Sequence, residues 1–241
     1  MIHYHGTPIS GSTAVAARVL MSRFAFVSYA RPDQLPLVLD YAAGFALDNG
    51  AFTFWRQGKD QDWDLYRSWV IEMHQHPAYQ FALTPDSITG GEEANDQLLK
   101  DYPLPKGVPV FHQGETMARL MRLRDNYEMV ALGSVEHFLP TETFHNWMSD
   151  CMEILCDKDG RPRTRIHGLR MLQPEIFERY PFASADSTNL GQNCNTPSRW
   201  SGRYNPIGPE VRALVLRDRI ESFQGAQIYK ASPYRQLTLE I

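Results

Sequence analysis

The chain of 241 residues is 43% hydrophobic, 12% aromatic and 22% charged, an ordinary globular composition that excludes disorder, collagen and coiled coil. No apolar run approaches the roughly 20 residues that cross a bilayer, and Met1-Ile-His-Tyr-His5 lacks the basic and apolar regions of a secretory signal, so a soluble, cytoplasmic protein with no membrane partner is expected. The net charge of −4 argues against a generally basic nucleic-acid binder but leaves room for a local basic patch.

In chain order, apolar runs rich in β-branched or aromatic residues predict eight strands. They are Ile2–His5, Phe24–Ser28, Phe45–Asp48, Gln80–Thr84, Val108–His112, Met129–Gly133, Thr164–His167 and Phe182–Asp186. Helical spacing between them predicts helices over Thr13–Met21, Gln34–Ala43, Trp63–His74, Glu115–Arg124, Thr141–Leu155 and Leu172–Arg179. Strand and helix alternate from end to end. Strands that read as continuous apolar runs suit a parallel sheet covered on its outer face, and an eightfold count suits closure. The fold class expected is α/β, a single (β/α)8 TIM-like barrel over residues 1–241. An open doubly wound sheet is the competing architecture; His5-Gly-Thr-Pro-Ile-Ser-Gly11 matches neither the dinucleotide nor the P-loop spacing. A polar loop is expected at about 187–205, then a helix within Pro206–Gln224 and a tail over 225–241. Cys151, Cys156 and Cys194 are too few and too scattered for a disulfide framework or a complete zinc site and read as free thiols.

In a β/α barrel, chemistry is built at the C-terminal ends of the strands. Here those ends are polar: Asp48-Asn49-Gly50, Thr84-Pro85-Asp86, His112-Gln113-Gly114-Glu115, Gly133-Ser134, His167-Gly168 and Asp186-Ser187-Thr188. Asp86 also reads as the N-cap of a following helix, His112 and His167 as satisfied core histidines, and Gly133 as a turn residue. Asp48 and Asp186 directly follow apolar strand residues, where partial desolvation opens their pKa values to tuning. Two chemistries fit the ring. Paired carboxylates can act as nucleophile and general acid/base in breaking a glycosidic bond. Alternatively, His3, His5, His112, His167 and Asp186 could hold a divalent metal in an amidohydrolase-like barrel.

The order of motifs resembles the tRNA-guanine transglycosylase superfamily, and within it the small phage and bacterial members that insert 7-deazaguanine bases into DNA. The matching pieces are Leu47-Asp-Asn-Gly-Ala-Phe52, Thr84-Pro-Asp86, Val110-Phe-His-Gln-Gly-Glu115, Ala131-Leu-Gly133, Ile166-His-Gly168 and Tyr180-Pro-Phe-Ala-Ser-Ala-Asp-Ser-Thr-Asn189, which span residues 47–189. The resemblance implies a β/α barrel that exchanges guanine for a 7-deazaguanine derivative, with Asp186 as nucleophile and Asp48 as acid/base. It also implies base reading by Asp86, Gln113 and Gly133, to which His112 and His167 are added as members of the same ring. The family's tRNA enzymes carry a Cys-Cys-Cys-His zinc site that this chain does not reproduce, so no metal and no cofactor are expected. Asn49 stands where a small hydroxyl residue is usual, and Ser134-Val135 where Gly-Leu is usual, which leaves the incoming base open.

DNA is the expected substrate, with a tRNA substrate as the alternative, because the chain is short for a tRNA-docking domain. Two basic stretches offer phosphate contacts: Arg161-Pro-Arg-Thr-Arg165 with Arg170, and Arg199-Trp200-Ser-Gly-Arg203, in which Trp200 can stack on a base. Phe52 and Trp55 read either as stacking walls or as core. A target nucleotide in a duplex must be flipped out to react. A barrel that has lost turnover and serves as a binding subunit is a third reading, and the choice between monomer and homodimer stays open.

Overall fold

The computed structural model describes residues 1–133, 141–194 and 206–231. Nine strands form one parallel sheet: β1 (Ile2–Gly6), β2 (Phe24–Ser28), β3 (Gly44–Asp48), β4 (Tyr79–Leu83), β5 (Gly107–Val108), β6 (Val110–His112), β7 (Met129–Gly133), β8 (Arg165–Gly168) and β9 (Ser184–Ser187). Their spatial order is β5-β4-β3-β2-β1-β9-β8-β7-β6. The two ends of that order, β5 and β6, are separated in the chain only by Pro109. Proline has no N–H for the ladder and so splits the predicted fifth strand in two, yet its carbonyl still accepts from the N–H of Ala131 at 2.9 Å. Residues 107–112 thus pair with β4 through their first half and with β7 through their second, and the sheet curls into a nearly closed α/β TIM-like barrel.

Ten helices lie between and after the strands: α1 (Thr13–Leu20), α2 (Leu35–Tyr41), α3 (Ala51–Arg56), α4 (Trp63–His74), α5 (Gly91–Asp101), α6 (Met117–Asn126), α7 (Glu142–Leu155), α8 (Pro174–Phe177), α9 (Asn189–Asn193) and α10 (Pro209–Glu221), counted among the described residues. Four start on side-chain caps, Ser12, Asp62, Thr116 and Thr141, each accepting from an N–H of the first turn. Helices α3, α5 and α9 were not expected, and α9 falls inside the stretch read as a polar loop. Residues 195–205, the remainder of that stretch, lie outside the described residues. The tail is described to residue 231 and packs on the N-terminal end of the barrel, where Tyr229 donates its N–H to Gly160 O at 2.8 Å and its ring stacks on Tyr180. Among the described residues no helix is long and apolar enough to cross a membrane.

Strand side chains alternate between two buried layers. Tyr4, Phe26, Ala46, Phe81, Val110 and Ala131 fill the barrel. Their neighbours Val27, Phe45, Leu47, Phe111, Leu132 and Ala185 pack outward against the helices. Both faces are apolar, which is why the runs show no in–out contrast in sequence. Because Tyr4 points inward, His3 and His5 point outward. His5 Nε2 meets Glu221 Oε1 at 2.9 Å, the other Glu221 oxygen accepts from Arg23 Nε at 2.7 Å, and His3 Nε2 contacts Phe223 O at 3.0 Å. These two histidines fasten α10 and the residues after it to the outside of the barrel. They cannot join His112, His167 and Asp186 inside it, which corrects the five-residue metal set.

Candidate active site

The last inward layer, at the C-terminal end of the barrel, includes the polar or open positions Ser28, Asp48, His112, Gly133 and Asp186, with Gly6 and Leu83. They line a cavity of about 950 Å³ together with the loops that follow the strands. Strand alternation explains the selection, since every second residue counted from the interior aromatics and aliphatics arrives here.

Asp48 closes β3 and is half-buried at the cavity wall. Burial pushes its pKa up, the charge of Asp186 pushes it further, and the Ser28 hydroxyl, the Gly50 N–H and the Arg170 guanidinium only partly offset this, leaving it at about 6. The chain then turns at Gly50, whose φ of 80° and whose approach to Ala30, with a Cβ that would lie 2.9 Å from the Ala30 nitrogen, both demand glycine. Asn49 is buried and fully committed. Its Oδ1 accepts from Ala51 N at 2.9 Å, and its Nδ2 donates to Thr84 O at 2.7 Å and to Asp86 Oδ1 at 2.5 Å. A hydroxyl residue here could not make all three bonds.

Asp86 does not cap a helix; α5 begins five residues later, after Gly90. Its second oxygen is 2.5 Å from His112 Nε2. Burial opposes charge on His112, but the bond to Asp86 and the nearby Glu115 outweigh it, and the net pKa is raised. Gln113 donates its N–H to Gly133 O at 3.0 Å and is not among the residues lining the cavity, since it follows the inward-pointing His112.

His167 lies beneath the cavity, not in its wall. It is fully buried, its ring meets Tyr4, Phe26 and Phe81 at centroid distances of 5.9, 5.4 and 5.2 Å, and its Nδ1 pairs with Ser184 Oγ at 2.8 Å. Its Nε2 is 3.4 Å from Asp186 Oδ1. The expected base contact is thus replaced by a supporting position under Asp186.

Asp186 sits on β9, buried, with Oδ1 accepting the backbone N–H of Arg170 at 2.8 Å. Arg170 holds a left-handed φ of 59°, a conformation costing about 1–2 kcal/mol in a non-glycine residue. That backbone aims its N–H at Asp186 while its guanidinium lies 3.9 Å from the ring centre of Phe52. Arg56, the last residue of α3, has its guanidinium carbon 5.8 Å from the centre of the same ring. Burial and the neighbouring Arg56 lower the Arg170 pKa, while Asp186 and Asp48 work to raise it. Phe52 and Arg56 reach the cavity through α3, the unexpected helix. Arg170, grouped by sequence with Arg161–Arg165, parts from that stretch: Arg165 opens β8 and Arg170 follows its other end. The Arg161–Arg165 stretch is therefore at the opposite end of the barrel, beside a second cavity of about 530 Å³ that Met1, Tyr127, Arg163 and Arg165 help to line.

Arg199, Trp200 and Arg203, expected to meet nucleic acid, lie outside the described residues. The three cysteines are buried, and burial pushes the Cys156 thiol up to about 11. Among the described residues no group of three or more His, Cys, Asp or Glu side chains is placed to hold a metal.

No family model and no curated protein matches the chain. Among solved structures it is similar to two mutants of the tryptophan synthase alpha-subunit from the hyperthermophile Pyrococcus furiosus, each 10% identical, with TM-scores of 0.53 and 0.52 and coverage of 91% of this chain and 95% of the other. That likeness bears on the barrel fold alone.

Proposed function

We propose that the protein is a base-exchanging glycosyltransferase that replaces guanine in DNA with a 7-deazaguanine derivative. The observation that carries this reading is the pair Asp48 and Asp186, which line one cavity close enough for the charge of one to raise the pKa of the other. Asp186 attacks the anomeric carbon, the C1′–N9 bond breaks, and its electron pair leaves with the base. Asp48, protonated, donates to the departing guanine. The incoming base then gives its proton to Asp48 and attacks C1′, expelling Asp186. Two displacements on one carbon return the original anomeric configuration. A carboxyl group with a pKa of about 6 suits a group that must give and take a proton at neutral pH. Phe52 offers a flat aromatic surface at the cavity, and the resemblance of the 47–189 motifs supplies the identity of the base.

The direct test is incubation with DNA carrying labelled guanine, and in parallel with tRNA, plus a panel of 7-deazapurines, followed by nucleoside mass spectrometry. Label release coupled to deazapurine incorporation into DNA is expected. Repeated turnover of guanine release without an acceptor base, or no release from either polymer, would overturn base exchange, and incorporation into tRNA alone would move the substrate to RNA.

Arg56 and Arg170 flank Phe52 at the cavity and are the described residues best placed to meet a backbone phosphate. Arg56→Ala is expected to weaken DNA binding and to flatten the dependence of log K on log salt by about 0.7–0.9, the share of one phosphate contact. Titrations at several salt concentrations check this, and an unaltered slope removes Arg56 from the DNA interface.

A further inference from the structure

We propose that Asp86 and His112 act as one unit in which the Nδ1–H of His112 donates a hydrogen bond to the carbonyl oxygen of the bound heterocycle, so that an imidazole, not the Asp86 carboxylate, selects an oxo-purine edge. This rests on reading the cavity as a base-exchange site and names what recognises the base there.

Four observations converge. First, both carboxylate oxygens of Asp86 are already engaged, one by Asn49 Nδ2 and one by His112 Nε2, each at 2.5 Å. Those bonds take two of the carboxylate's roughly four acceptor positions, and an ionised carboxylate has no donor to offer a carbonyl oxygen. Second, an acceptor at Nε2 obliges that nitrogen to carry the proton, which fixes the ring's orientation and leaves Nδ1 as its free end. Third, Nδ1 faces the gap over Gly133: a methyl group built on Gly133 would come within 3.7 Å of it. Both residues line the cavity, and Nδ1 has no hydrogen bond among the described residues. Fourth, the main chain behind the ring is pinned. The His112 N–H donates to Glu115 Oε2 at 2.9 Å, and the same oxygen accepts from the wholly buried Arg119 at 2.6 Å. Arg119 in turn holds Val110 O at 2.9 Å and Asp96 at 2.8 Å. Packing and hydrogen bonds thus preorganise the dyad before a ligand arrives.

The protonation state decides what Nδ1 offers. In the imidazolium it is a donor, suited to a carbonyl oxygen; in the neutral ring it is an acceptor, which repels one. The charged groups around the ring are Asp86 after β4, Glu115 just before α6 and Arg119 on α6; the first two favour the cation, and Arg119 opposes it. When the C1′–N9 bond breaks, negative charge spreads over the departing guanine onto its carbonyl oxygen, and a donor already at that atom stabilises the leaving group without moving a proton.

The test uses the full chain and compares guanine with 2-aminopurine, which lacks the carbonyl oxygen and the N1–H that goes with it, so the pH dependence of the preference is what reports on the imidazole. The two affinities are measured between pH 5.5 and 8.5, the second by its own fluorescence and the first by competition. A charge-assisted bond predicts roughly 10- to 100-fold preference for guanine at the acid end, lost as pH rises and the ring deprotonates. Asp86→Asn keeps an acceptor oxygen for Asn49 Nδ2 and turns its amide N–H toward His112 Nε2, so the neutral ring then carries its proton on Nδ1, and the guanine preference is expected to persist across the whole pH range. Gly133→Ala puts a methyl group at ordinary contact distance from its neighbours, 3.5 Å from Leu169 and Val110, so it folds while covering Nδ1, and is expected to cost guanine at least tenfold more than 2-aminopurine. Equal affinity for the two bases in the wild type, or a preference unmoved by both variants, overturns the proposal. If the preference holds and moves as expected while DNA exchanges no base, the dyad stands and the glycosyl-transfer reading falls. If exchange proceeds and the preference does not move, the reverse applies.

Discussion

Asp186→Asn is expected to abolish base exchange and with it any denaturant-resistant protein–DNA adduct. The substitution is nearly isosteric, and an amide oxygen can still accept the Arg170 N–H that Oδ1 accepts at 2.8 Å. The fold and the cavity are therefore preserved while the nucleophilic oxygen is lost, because an amide carbonyl does not form a stable ester with an anomeric carbon. Removing the nucleophile of a covalent mechanism typically costs about 10⁴-fold or more in kcat. Two measurements check this. Single-turnover release of labelled guanine should fall below detection, and gel analysis under denaturing conditions should show the protein–DNA adduct with wild type alone. Exchange within tenfold of wild type would falsify the assignment of Asp186 and point to direct displacement by the incoming base.

The sequence carried the barrel because strand identity depends on short apolar runs, and those runs survive burial on both faces. Phe24–Ser28 and Met129–Gly133 match the observed strands end to end. The same two-sided burial hid which residues face inward. Nothing in Ile2-His-Tyr-His5 distinguishes the inward Tyr4 from the outward His3 and His5, so His3 and His5 looked as available to a metal as His112. One signal was present: a polar residue two steps beyond an interior apolar residue, as Ser28 is from Phe26, or Asp48 from Ala46, keeps strand parity and lands in the cavity layer. Helix α5 was invisible because Gly91–Asp101 buries only Asn95 and has almost no apolar stripe. Helix α3 was invisible because it is six residues long and starts from a left-handed glycine that reads as a turn. Arg170 had no signal at all as a cavity residue. Its place beside Asp48, Asp186 and Phe52 follows from a positive φ that arginine does not advertise.

Asp48→Asn should do two opposite things at neutral pH: remove acid/base catalysis and stabilise the fold. The carboxyl pKa rises from the usual 3.8 to about 6 in the folded chain, so between those values the folded state binds the proton more tightly than the unfolded state. The associated stability is fully present below pH 3.8 and is lost as pH rises through about 6. A shift of this size corresponds to at most about 3 kcal/mol. Asparagine does not titrate, so the variant should unfold several degrees higher than wild type at pH 7, with the advantage shrinking toward pH 4. Thermal melts across that range give the sign directly. Kinetically, guanine release needs the protonated acid, and its single-turnover rate in wild type should fall about tenfold per pH unit above 6. Attack by the incoming base needs the ionised form and should rise about tenfold per pH unit up to about 6 and level off above it. In Asp48→Asn both rates should drop by about 10²- to 10⁴-fold and lose these limbs. A variant that retains the same pH dependence at reduced rate would transfer the acid/base role to another cavity group. A variant less stable than wild type at pH 7 would mean that Asp48 is held by compensating bonds, and that its raised pKa is not the source of its chemistry.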